Sequence, residues 1–206
     1  MVKMGFLRRR YERTKTKVTR YTKVAEAGGL YRRYFVMNSF DGALAILGVI
    51  VAAYSTGNAS ARIIVNAGVG LAIATGISGF VGAYLSERAE RVKKIKDIEH
   101  SIMMGINGSL LYRASKFVMI MLALVDGISP AVAIFITILP FIFYEALPNS
   151  FLLDYAMLAS VLINLTLLAL LGAFLGKISQ TSVVKYGLMT LVIGVGVVIL
   201  LYFTGF

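Results

Sequence analysis

Two carboxylates stand where a carboxylate is costly. Asp41 lies in "NSFDGALAILGVIVAAY", from Asn38 to Tyr54, and Asp126 lies in "LALVDGISPAVAIF"; each is followed by a glycine. A carboxylate inside a segment long enough to cross a bilayer must be solvated, paired or protonated, or it must meet an ion. Gly42 lets another backbone or a hydrated ion come close, and Asn38 and Ser39 are near enough to add oxygen ligands. Two readings of Asp41 stay open: an interfacial carboxylate that snorkels or caps, or an ion or proton site on a protein-lined path. Asp126 is the matching group further on, although Asp-Gly-x-Ser-Pro also makes a good turn between two helices.

A second group of donors lies between two apolar stretches: Glu87, Glu90, Asp97, Glu99, His100, Met103 and Met104. On a continuous helix Glu87 and Glu90 share a face, as do Glu99 and Met103. Carboxylates, an imidazole and thioethers suit Fe²⁺ or Mn²⁺. Arg88, Arg91, Lys93, Lys94 and Lys96 are interleaved with them, so a solvated, salt-bridged helix is the competing reading. Other catalytic chemistry is poorly provided for. With no cysteine and one histidine there is no thiolate nucleophile, no disulfide and no histidine-based zinc site. No resident cofactor is expected.

The elements that must position these groups are membrane spans. Of 206 residues, 58% are hydrophobic and 15% charged, and whole windows lack charge altogether. The expected class is an all-α polytopic membrane protein with five transmembrane helices, at about 34–55, 61–85, 130–146, 151–176 and 186–203. Residues 1–33 form a basic cytoplasmic or interfacial segment, and 34–206 the transmembrane domain. Within it, 86–128 reads as cytoplasmic or interfacial, with a helix at about 110–125. The window from Lys116 to Leu147 is too long for one straight crossing, and Asp126-Gly127 and Pro130 are expected to break it; six spans are the alternative. In the second span Gly68, Ala72, Gly76, Gly79 and Ala83 recur at spacings of three or four, a stripe that permits close helix packing. Ser160, Asn164 and Thr166 can hydrogen-bond across helices, and Glu145 and Asp154 flank an outer turn at Pro148.

The net charge of +11 is clustered beside the spans: Lys3 to Arg33, then Arg88 to Lys116, then Lys177 and Lys185. That placement follows the positive-inside pattern and points to anionic lipid headgroups at the basic N-terminus, with no nucleic acid partner. With five spans it puts the N-terminus in the cytoplasm and the C-terminus on the opposite side. The basic start is too long for a cleavable signal peptide. "YRRYFVMNSFDGALAI" at Tyr31 is echoed by "YRASKFVMIMLALVDGISPAVAI" at Tyr112, and "GAYLS" at Gly82 by "GAFLG" at Gly172. These echoes describe a two-helix unit used twice, followed by a fifth helix.

Taken in succession, "FDG" in the first span, "GAYLSERAE" closing the second, "SPAVAIFITILPFIFY" in the third and "LGAFLGKIS" before the last resemble the vacuolar iron transporter family. The likeness runs from about Tyr31 to the end. It implies a homodimeric exporter of Fe²⁺ or Mn²⁺ driven by proton exchange, with Asp41 matching the family's aspartate on the translocation route. The chain departs from the family at two places. Ser78-Gly79 and Gly82-Ala83-Tyr84 stand where many members carry a Ser-Met…Gly-Glu-Tyr pattern, so those Met and Glu ligands are missing. The acidic cytoplasmic insert is reduced to a short, net-basic segment. Two rival classes accompany the transporter, which is not expected to be an enzyme. A membrane phosphotransferase would need Ala-Arg and two further aspartates soon after Asp41-Gly42, and the chain has neither; a non-transporting, lipid-interacting scaffold would use the aspartates structurally.

Overall fold

The structure is a computed structural model and describes residues 16, 18–25, 27–55, 57, 60–147 and 153–203. A short helical stretch at 18–24 precedes five long helices: α1 (Gly28–Ser55), α2 (Ala61–Ile102), α3 (Leu110–Ala146), α4 (Leu153–Ile178) and α5 (Val183–Phe203). Each of the five is long and apolar enough to cross a membrane, and no strand occurs among the described residues. The chain is an all-α polytopic membrane protein. About half of the expected basic segment 1–33, including residues 1–15, and the turn at Pro148 lie outside the described residues.

Local chemistry sets several helix ends. The Ser109 hydroxyl accepts from Tyr112 N–H at 3.2 Å and starts α3, and Ser182 does the same for Lys185 N–H at 3.3 Å in α5. Beyond α2 the chain turns through Met103 (φ 51°) and Gly108 (φ 81°), and Glu99 Oε1 accepts from Ile106 N–H at 2.9 Å.

The expected break in the third apolar stretch does not form. α3 is one helix of 37 residues with Pro130 and Pro140 inside it, and the separate interfacial helix at 110–125 is its first part. A proline removes a single helical bond. A turn in an apolar medium would expose several N–H and C=O groups with no water to satisfy them, so the helix continues. Similarly, the expected span 61–85 is the apolar part of the 42-residue α2. At about 1.5 Å per residue α2 and α3 are each well over 50 Å long, longer than the ~30 Å hydrocarbon layer.

The chain divides into two compact units. The first contains Met1–Tyr34 and Phe80–Val125. Its small core is Ala27, Val118 and Leu122, with Leu30, Tyr34 and Phe117 packed around them. A buried ion pair, Arg91 Nε to Glu87 Oε2 at 3.0 Å, stands in the same unit, and Tyr34 Oη donates to Glu87 Oε1 at 3.2 Å.

The second unit contains Phe35–Gly79 and Asp126–Phe206. Ile46, Ile50, Ile64, Ile134, Ile138 and Phe141 fill its core. α4 and α5 form a hairpin held at small residues: Thr190 Oγ1 donates to Leu168 O at 2.9 Å, and a Cβ on Gly187 would lie 3.2 Å from Ala169 O. Outside the core, Ile63, Ile77, Leu162, Leu170, Val192 and Leu200 are exposed. Such side chains belong against lipid, where they carry no hydration cost.

Candidate functional site

The site belongs to the second unit and is built from residues 38–42 of α1, 76–79 of α2 and 126–130 of α3. Glycines bring the three together. A Cβ on Gly42 would stand 2.5 Å from Pro130 O and 2.6 Å from its Cα, so α1 meets the backbone of α3 directly. A Cβ on Gly76 would lie 3.1 Å from Gly127 O, and one on Gly79 would lie 3.1 Å from both Asp126 O and Asp126 Oδ2. The segment Asp126–Pro130 is therefore gripped from two helices at positions without side chains. Gly68 and Ala72 extend the α2 stripe, with a Cβ on Gly68 falling 2.9 Å from Ile138 and Ala72 buried in the core. Ala83, the last member of the stripe, is buried in the first unit.

Asp126 is nearly buried, at 7% exposure. Asn38 Nδ2 donates a hydrogen bond to Asp126 Oδ1. Its other carboxylate oxygen and its own carbonyl oxygen are both 3.1 Å from the single point where a Gly79 Cβ would stand. That carbonyl lacks the usual i+4 helical donor, because Pro130 has no N–H. Two oxygens, one of them ionisable, thus converge beside the bare backbone of Gly79. Hard oxygen donors of this kind suit a proton or a hard cation.

The two aspartates are not equivalent. Asp41 is on the exposed side of α1, three residues beyond Asn38, the hydrogen-bond donor to Asp126. Asn38, expected beside Asp41, gives its amide to Asp126, and Ser39 is buried.

A second polar group lies further along the helices of the same unit. Asn164 is fully buried on α4; its Nδ2 donates to Ala43 O at 2.9 Å and Thr137 Oγ1 at 3.0 Å, and its Oδ1 has no protein partner. Ser160 Oγ donates to Thr137 O at 2.5 Å. Thr137 was not singled out by sequence because a lone threonine in an apolar helix usually bonds its own turn, as it also does here to Ala133 O at 2.9 Å. The role of Pro130 was legible in principle, since a proline four residues after an aspartate frees that aspartate's carbonyl.

The donors expected near the end of α2 do not gather. Glu87 is engaged by Arg91 and Tyr34, and Glu99 by Ile106 N–H. Glu90, His100, Met103 and Met104 are exposed. Among the described residues no three His, Cys, Asp or Glu side chains come together. At the other end of α1, Tyr54 Oη donates to the exposed Asp154 at 3.5 Å.

Fold and site together define a multi-span helical membrane protein with an oxygen-lined, partly buried carboxylate site. No model of a known protein family matches the chain. The archaeon Methanocaldococcus jannaschii has a similar protein, "Uncharacterized protein MJ0645", 31% identical over 178 residues, covering 82% of this chain and 86% of that one. The chain belongs to the same family as that protein.

Proposed function

We propose that the chain is a secondary transporter that exchanges a divalent metal cation for protons through Asp126. The observation that supports this reading most is the convergence of Asp126 Oδ2 and the released Asp126 carbonyl beside Gly79, with Asn38 steadying Oδ1. A carboxylate in such a place is cheapest when it holds either a proton or a cation, and exchanging one for the other is the elementary step of an antiporter. All the donors are oxygens, which favours Mn²⁺ over Fe²⁺ among the metals implied by the resemblance to vacuolar iron transporters. Asp41, exposed and close by, serves as the approach site, and Asn164 Oδ1 with Thr137 offers polar groups further along the same unit. The homodimer and the cytoplasmic N-terminus are part of the same reading.

The test is uptake of Mn²⁺ and Fe²⁺ into proteoliposomes under an imposed pH gradient. Flux that follows the gradient, disappears in Asp126→Asn and is weakened in Asp41→Asn supports the proposal. Gradient-driven flux that survives Asp126→Asn refutes the assigned site. If folded protein moves neither metal, the scaffold reading takes its place.

A further inference from the structure

The first unit contains a cavity whose lining includes none of the residues assigned to the proposed transport. It has a volume of about 440 Å³ and lies between residues 84–95 of α2 and 112–120 of α3. Arg88, Arg91 and Lys116 line it together with Tyr112 and Ser115, and no carboxylate is among its lining residues. Arg91 is fixed from behind by its buried pair with Glu87, at 3.0 Å, and the Lys116 ammonium lies 4.5 Å over the Tyr112 ring. Arg88 and Lys116 are exposed, so the cavity has two solvent-facing cations at its edge and a buried, partly neutralised one behind. A cation is repelled from such a place. An anion finds guanidinium and ammonium donors together with hydroxyls.

The rest of the lining chooses between kinds of anion. Ile95, Met119 and Ile120 form an apolar wall to the same cavity. Inorganic phosphate has no use for that wall, whereas an amphiphile would lay its glycerol and first methylenes along it. Basic pockets between the ends of membrane helices are suited to phosphate headgroups. We propose that this cavity is a binding site for the phosphate headgroup of an anionic phospholipid, held by Arg88 and Lys116, with Ser115 and Tyr112 as hydroxyl partners. The site is separate from the general attraction of the basic N-terminal segment, and it does not depend on the transport proposal.

The full chain in neutral detergent can be titrated with phosphatidylglycerol, phosphatidylcholine or inorganic phosphate, with retained adducts counted by native mass spectrometry. One tightly held phosphatidylglycerol per chain is expected, with weaker phosphatidylcholine retention. Arg88→Gln/Lys116→Gln should weaken it roughly 10- to 30-fold, and Lys116→Arg should preserve it. Arg8→Gln/Arg9→Gln/Arg10→Gln should leave the tight adduct in place. Both cavity substitutions are at exposed side chains, and an unchanged thermal unfolding midpoint without lipid verifies the fold. Equal retention by the Arg88→Gln/Lys116→Gln protein overturns the proposal. So does inorganic phosphate that displaces the lipid at comparable concentration, which would assign the cavity to a soluble phosphate.

Discussion

Asn38 on α1 donates its side-chain amide to the carboxylate of Asp126 on α3, a partner 88 residues away. The bond holds Oδ1 and leaves Oδ2 turned toward Gly79, beside the carbonyl that Pro130 releases. It fixes which oxygen of Asp126 is structural and which is available.

Removing that amide should cost stability as well as activity. Asn38→Ala leaves a nearly buried carboxylate without its donor, and hydrogen bonds to charged groups contribute about 1.5–3 kcal/mol. Reversible unfolding in mixed micelles should show a loss in that range, and Asp126→Asn should lose less because an amide can still pair with Asn38. Equal stability of Asn38→Ala and wild type would count against the bond.

Gly79→Ala separates packing from ligand access. Its methyl would occupy the point that both Asp126 oxygens face at 3.1 Å. Its neighbours, the Asp126 backbone among them, must give by a few tenths of an ångström, a much smaller clash than at Gly42. The preference of alanine over glycine in a helix, about 1 kcal/mol, offsets it. The expected result is a protein near wild-type stability with cation flux reduced at least several-fold. Full flux would show that this point is not used.

Gly42→Ala should behave differently, because the atoms it meets are the backbone of Pro130 at 2.5–2.9 Å. Backbone cannot rotate away, so overpacking of about 1–3 kcal/mol is expected. Gly70, with nothing near its Cβ position, is the control. Gly70→Ala should be neutral or slightly stabilising in the same unfolding assay.

In the first unit, Glu87→Ala leaves Arg91 buried and without its carboxylate, a change that typically costs about 3–5 kcal/mol. Glu87→Leu/Arg91→Met should recover much of the loss, since neither charge is then stranded. A double variant as unstable as Glu87→Ala would mean that the lost Tyr34–Glu87 hydrogen bond, and not the stranded Arg91 charge, carries the cost.

The sequence determined what depends on sums along the chain. Apolar windows of sufficient length specify five helices able to cross a membrane, and the spacing of Gly68, Ala72, Gly76 and Gly79 marks the face of α2 that lets other helices approach. Both aspartates were visible as costly groups in apolar surroundings. Which of them is buried was not, because Asp41 and Asp126 have almost the same local context. Burial depends on which face of each helix is covered, and residues far away in sequence decide that: Gly42 against Pro130, Gly79 against Asp126. The unbroken α3 is also a tertiary outcome. Asp-Gly-Ile-Ser-Pro makes a turn where water can satisfy the freed backbone, and it stays helical where only other helices are available. Composition therefore decided the class of protein, while close packing at glycines decided which carboxylate is buried.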